Sequence, residues 1–261
     1  MKTKAEILRA LAQTKDDHIL LSQVLDKLDA CRTRSYPVHT RFLDLRERTL
    51  TVQALRLAGG EDSAVLYGGY ADAERAAALF YPEYLTAEQM CADAPFAILR
   101  AKKHPSDTLS HRDYLGALMG LGIERGCVGD ILVHEDGADF IVLADMADFI
   151  LLNFEKAGRG HLKLTHADAL RTPQAQGETQ SGSVASLRLD SVCALVFNIS
   201  RSEAQEQIAR GQVFLNFMQC MKNEREIAVG DRITLRGHGR ARILSLGGTS
   251  RKGRQVLAYC R

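Results

Sequence analysis

Residues 171–186, RTPQAQGETQSGSVAS, interrupt the chain with a polar run rich in Gly, Ser and Gln. Such a composition suits a linker or an exposed connection and marks the clearest boundary in the chain. The two parts differ sharply in charge. From Ser186 onward there are 13 Lys+Arg against 6 Asp+Glu, a net of +7, whereas the first 185 residues hold 21 basic and 26 acidic, a net of −5. The chain total of +2 conceals this split. A folded tail with such an excess of cations points to a polyanionic partner, nucleic acid above all.

The remaining composition narrows the class. A length of 261 residues with 46% hydrophobic content allows two or three small domains with real cores. No run of about 18 apolar residues exists, so no membrane span is expected. The start, MKTKAEILRALAQTKDD, lacks an apolar signal core and turns acidic early, which argues against secretion. The six cysteines are scattered, with no Cys-x-x-Cys and no Cys/His pair at finger spacing; free thiols in a reducing cytoplasm are expected, with no zinc and no cofactor. With no Trp and 6% aromatic residues, no extended base-stacking surface is advertised.

Residues 1–60 read as helical, with Ile19, Leu20, Val24, Leu25 and Leu28 at helical spacing, a break at Pro37 and closure at Gly59-Gly60. Ala64–Tyr67 reads as a strand, Gly68-Gly69 as a turn and Asp72–Phe80 as a helix. Residues 94–170 are more regular. PFAILRAKK reads as a strand, and Ser110–Leu121 as a helix capped by Ser110 with Asp113. Two strands flank Glu135-Asp136-Gly137, then come a helix over ADFILLNFEKAGRG and a strand over HLKLTHADA. The order β-α-β-β-α-β is the split, ferredoxin-like pattern. His161 and His166 fall on opposite faces of that strand and make a poor metal pair. The expected class is therefore α+β. Residues 1–82 form a helical region with a short strand-turn-helix, 83–170 a ferredoxin-like domain, 171–186 a linker, and 187–261 a module of two helices packed on a small sheet.

In that module Arg188-Leu189-Asp190 opens a helix, with Asp190 as a candidate cap. Ser200-Arg201-Ser202-Glu203 spells a capping box for a second helix, and Gly211 stands where a left-handed terminus is wanted. Strands follow at 213–216, 232–235, 241–246 and 255–259. Arg188, Leu189 and Asp190, then Ser200, Arg201, Ala204, Ile208, Gly211, Val213 and Asn216, then Gly230, Asp231 and Ile233 resemble, in order, the RNA-binding domain named after the fourth small-subunit ribosomal protein, the S-four-like domain. Upstream, Thr40–Asp44, Gly68-Gly69-Tyr70, Glu74-Arg75, His111–Leu118, Leu121–Ile123, Arg125 and Gly129–Ile131 resemble the bacterial YlmH family, so the likeness covers almost the whole chain. That resemblance implies a helical region, a ferredoxin-like domain and an S-four-like domain. It also implies action on large ribosomal subunits blocked by a nascent chain, where relatives hold transfer RNA during ribosome-associated quality control as alanine tails are added. Members are encoded near cell-division genes in many Gram-positive bacteria.

The expected RNA contacts are Arg188, Ser200, Arg201, Arg210, Asn216, Lys222, Arg240, Arg251 and Lys252 in the module, and His111, Arg112 and Arg125 upstream. Arg201 heads a helix, where backbone N–H groups and the helix dipole also attract phosphate. Taken singly, the module's candidates are better explained by capping or by a solvated surface charge, with Arg251 and Lys252 evenly balanced; the ordered motif and the +7 balance reverse that for the module as a whole. His111-Arg112-Asp113 lacks an accompanying nucleophile or metal set, so no catalytic residue is assigned and no enzyme is expected. The expected function is RNA binding on the ribosome, to structured ribosomal and transfer RNA on the large subunit, with no membrane partner. Two alternatives stay open: an RNA-modifying enzyme of pseudouridine-synthase type, which the R-L-D tripeptide suggests but for whose catalytic domain the chain has no room, and an adaptor for division-related proteins.

Overall fold

Capping boxes start the first three helices. Thr3 with Glu6, Thr14 with Asp17 and Asp44 with Glu47 satisfy the N-terminal N–H groups of α1 (Lys4–Leu11), α2 (Lys15–Arg34) and α3 (Leu45–Ala58). The computed structural model describes residues 1–171, 179–249 and 253–261, which divide into two compact units, Met1–Pro173 and Gln174–Arg261. In α2, Leu21, Val24, Leu25 and Leu28 face the core with Ala54 and Leu55 of α3, while Ile19 points outward. Asp17 is buried and accepts from Arg46 Nη1 and Nη2 at 2.7 and 2.9 Å. The Arg46 hydrogen bonds hold the Asp17 carboxyl far below its ordinary range.

β1 (Val38–His39), β2 (Ala64–Tyr67) and β3 (Ala77–Phe80) form an antiparallel sheet in the order β1-β3-β2. The helix expected over Asp72–Phe80 is thus corrected: its last four residues are the central strand, buried throughout. Alanine favours helix intrinsically, but pairing on both sides overrides that preference. Gly68 belongs to the sharp return between β2 and β3; a Cβ there would lie 2.1 Å from the Arg75 carbonyl oxygen. A short helix, α4 (Ala87–Ala92), leads into the middle region.

That region contains β4 (Phe96–Lys103), α5 (His111–Gly120), β5 (Val128–His134), β6 (Gly137–Leu143), α6 (Ala147–Asn153), β7 (Lys156–Ala157) and β8 (Gly160–His166). The sheet runs β5-β6-β4-β8-β7, antiparallel throughout. Apart from the added short β7, this is the expected interleaved order. Tyr114 and Leu118 of α5 and Ile150 of α6 pack on one sheet face with Leu99, Ala101 and Phe140. The helix expected across ADFILLNFEKAGRG stops at Asn153, because Lys156-Ala157 turns back through Gly158 (φ +54°) to pair with Gly160-His161.

The boundary expected at residues 82/83 does not divide the first unit. Phe42 enters the middle core, its ring 4.7 Å from that of Phe96, and its N–H donates to the Gly126 carbonyl at 2.8 Å.

The second unit contains β9 (Thr179–Val184), α7 (Leu189–Phe197), α8 (Arg201–Ala209), β10 (Val213–Leu215), β11 (Met218–Gln219), β12 (Arg232–Leu235), β13 (Gly239–Thr249) and β14 (Gln255–Cys260). Its six-stranded sheet runs β11-β10-β12-β13-β14-β9, with both helices sharing a core with Val213, Leu215, Ile233, Leu235, Ala241, Ile243, Leu257 and Tyr259. The expected linker is corrected here: Thr179–Val184 is an edge strand that pairs residue for residue with β14. Main-chain hydrogen bonds make that strand, so its polar side chains did not reveal it. Among the described residues, no helix is long and apolar enough to cross a membrane.

Candidate nucleic-acid interface

The helical side of the second unit is organised by one carboxylate. Arg188, not Asp190, occupies the N-cap of α7, and Asp190 lies inside the helix with its side chain fully buried. Its oxygens accept from Ser191 N–H at 2.9 Å, Arg188 Nε at 3.2 Å, Arg201 Nε at 3.0 Å and Gln205 Nε2 at 2.8 Å. Burial alone would raise the Asp190 carboxyl, but the bonds from Gln205, Arg201 and Arg188 outweigh it and hold the group below its ordinary value. The result is a fixed anion gripping two cations, whose side chains remain 42% and 51% exposed at Arg188 and Arg201. The exposed edges of two oriented guanidiniums suit phosphate oxygens. Asp190 itself is enclosed and engaged, so the R-L-D tripeptide presents no carboxylate to a substrate.

The other expected contacts of the module have different settings. Ser200 Oγ accepts from Glu203 N–H at 3.1 Å as the cap of α8, so its oxygen is already engaged. Arg210 caps the far end of α8 and pairs with Glu206 at 2.6 Å on the surface. Asn216 (φ +50°) opens the turn between β10 and β11; its Nδ2 donates to Asp231 at 2.7 Å and its Oδ1 accepts from Arg232 N–H at 2.9 Å. That double bond pattern makes Asn216 a staple of the turn. Lys222 is exposed in the loop after β11. Arg251 and Lys252 lie outside the described residues.

Arg240 belongs to a larger set. On the sheet face turned away from the helices, register places Thr234 opposite Arg240 and Arg232 opposite Arg242. The Arg232 guanidinium lies 5.1 Å from the Phe217 ring centre and that of Arg236 lies 5.2 Å from Phe214. Flat cations seated on rings keep their charge while losing mobility. Arg232, Arg236 and Arg242 were not among the expected contacts. The signal was available, since R-I-T-L and R-A-R-I alternate and every second residue of a strand shares a face.

Upstream, the residues that carry the family likeness meet at one junction. Asp130 accepts from Tyr70 Oη at 2.8 Å and from the N–H groups of Glu74 and Arg75 at 2.8 and 3.0 Å. Arg75 Nη2 donates to the Phe42 carbonyl at 2.6 Å, and Arg125 Nη1 donates to the carbonyls of Val128 and Gly129. Arg125, expected to meet RNA, thus faces inward. Burial, and then repulsion from Arg75, pull its pKa down to about 10, which leaves it protonated at neutral pH. His111 and Arg112 begin α5 with exposed edges; burial beneath His111 and the nearby Arg125 lower its pKa. Ser110 caps that helix, and its N–H and Oγ both donate to Asp113, at 2.8 and 2.7 Å. The junction joins the helical region to the middle sheet, so much of this motif maintains structure.

Residues 97–170 match the family model described as "Putative RNA-binding domain in YlmH". The chain is 33% identical over 249 residues to the Ribosome-associated protein quality control protein P2 of Bacillus subtilis (strain 168), covering 94% of this chain and 95% of that protein. A solved structure titled Cell division protein ylmH from Streptococcus pneumoniae aligns with 59% of this chain and 92% of its own, at 22% identity and a TM-score of 0.48. Matched along nearly its full length by the Bacillus subtilis protein, and through its middle sheet by the family model, the chain belongs to the YlmH family.

Proposed function

We propose that this protein binds structured RNA on the ribosome without catalysing a reaction, holding ribosomal and transfer RNA on obstructed large subunits during quality control. The observation that carries this reading is the second unit's pair of basic surfaces: Arg188 and Arg201 gripped by buried Asp190, and Arg232, Arg236, Arg240 and Arg242 on the outer sheet face. We take this unit to be an S-four-like domain. Family membership and the name of the Bacillus subtilis relative supply the ribosomal setting. Affinity comes from phosphates, so recognition follows RNA shape more than base identity.

Two measurements test this. Purified protein should bind a ribosomal RNA hairpin with an affinity that falls steeply between 50 and 300 mM salt; binding insensitive to salt would refute it. On sucrose gradients the protein should travel with large subunits and leave that fraction after nuclease treatment. Co-sedimentation that survives complete RNA digestion would instead indicate a protein adaptor.

A further inference from the structure

We infer that the open face of the middle sheet, centred on Lys102 and Lys163, is a second RNA-backbone surface, separate from the second unit. This deepens the RNA-binding reading above and rests on it.

Register builds the surface. Lys102 of β4 lies directly opposite Lys163 of β8, and Lys156 of β7 directly opposite His161 of β8. Opposed residues of an antiparallel pair share a face, as do alternate residues along a strand. Lys156, His161, Lys163, Thr165, Lys102 and Arg100 therefore lie on one side, opposite the side covered by α5 and α6. Lys102, Lys156, His161, Lys163 and Thr165 are exposed. The other end of this face is closed: Ala167 N–H bonds the Ile98 carbonyl, and Arg171 N–H bonds the Asp139 carboxylate.

Like charges directly opposite each other weaken a sheet. Here the fold supplies no compensation. The carboxylates nearby are taken: Asp139 is buried between Arg100 (2.7 Å) and Arg171 (3.2 Å), and Asp136 pairs with Arg171 at 2.9 Å. Among the described residues, neither Lys102 nor Lys163 forms an ion pair. Lysines often guard the edge of a sheet against unwanted pairing. Lys102 cannot serve that purpose, because β4 is the central strand. A repulsive pair in mid-sheet, left unscreened by protein, is what a polyanion would neutralise. Both lysines lie within the stretch matched by the RNA-binding family model. Phe96, at the far end of β4 on this face, is packed against Phe42, and the exposed part around Lys102, Lys156, His161, Lys163 and Thr165 carries no Phe or Tyr, so it suits phosphates and tolerates any sequence.

The test uses the full-length protein and a labelled ribosomal RNA hairpin, with affinity measured across a salt series. Lys102→Glu/Lys163→Glu should lower affinity at least tenfold at 100 mM salt, and Lys102→Gln/Lys163→Gln several-fold. The slope of log affinity against log salt should shrink by about 1.5 for two lost phosphate contacts. Both positions are exposed, and an unchanged thermal melt would show that each variant folds. If wild type binds and both variants match it in affinity and slope, this inference fails while the wider reading stands. If wild type itself does not bind RNA, both fail. Loss of binding to an acidic peptide, with RNA binding intact, would reassign the face to a protein and overturn the proposal.

Discussion

The six-stranded sheet of the second unit and the five-stranded middle sheet each set a pair of cations directly across from one another, Arg232 with Arg242 in the former and Lys102 with Lys163 in the latter. What surrounds the pairs differs. The second unit seats Arg232 and Arg236 on aromatic rings and, on its helical side, grips Arg188 and Arg201 with a buried carboxylate. The middle sheet uses its buried carboxylate, Asp139, on Arg100 and Arg171, beside the chain segment that crosses the face, and leaves the lysines without such support. The second unit sets Arg188, Arg201, Arg232 and Arg236 against fixed partners; the middle sheet presents exposed lysines that, among the described residues, form no ion pair. A preorganised surface loses less entropy on binding and discriminates shape, whereas a mobile one supplies mainly long-range attraction.

The largest expected contrast concerns the two buried carboxylates. Asp139→Asn should cost about 3–5 kcal/mol of stability, measured by urea unfolding, because it strands two partly buried arginines; RNA affinity of the folded fraction should hardly change. Asp190→Asn should cost less, about 1–3 kcal/mol, since its arginines are half exposed, yet should weaken RNA binding although it adds positive charge. Tighter RNA binding by Asp190→Asn would show that charge, not orientation, governs the second unit.

Next comes reversal of charge. Arg201→Glu/Lys222→Glu should reduce affinity for the RNA hairpin about 100-fold, near 2.7 kcal/mol, and abolish co-sedimentation with large subunits. Unchanged co-sedimentation would break the assignment of the stronger surface. Smaller effects should follow charge-preserving swaps. Arg232→Lys/Arg236→Lys should lose about three- to tenfold in affinity, because an ammonium does not stack as a guanidinium does. Lys102→Arg/Lys163→Arg should stay within about twofold of wild type.

The smallest effect is a dependence on acid. Asp17, Asp139 and Asp190 all have folded pKa values below their unfolded ones. For Asp139, burial opposes the change but the bonds from Arg100 and Arg171 bring it to about 2. Their stabilisation is complete above the unfolded value near 4 and is lost as pH falls toward the folded values. Melting temperature should therefore be flat near neutrality and drop from about pH 4 downward. Asp139→Asn should flatten that drop; an unaltered profile would count against the ion pair.

Much of the fold was legible where local chemistry decides it. The Ser110 and Ser200 caps, the Glu135-Asp136 turn and the left-handed Gly59 and Gly211 all act over a few residues. Residues 77–80 were misread because four small or apolar residues carry no period, and only the flanking β1 and β2 make them a strand. Of the candidate site, the motif contains Arg188, Arg201 and Asp190, but Asp190 reads there as a cap, since its burial and its bonds to both arginines are tertiary facts. Arg232, Arg236 and Arg242 were legible by alternation. The opposition of Lys102 and Lys163 was not, because the register of two strands distant in sequence is set by the intervening hairpin and helices.

The edge strand Thr179–Val184 determines where the basic module can be separated from the rest. A fragment starting at residue 187, the boundary that composition suggests, would leave the length of β14 without its neighbour. Bare strand edges recruit other chains, so such a fragment should self-associate during purification, and its weakened RNA binding could be mistaken for a missing contact. A fragment starting at Gln174 retains the strand and should remain monomeric by light scattering.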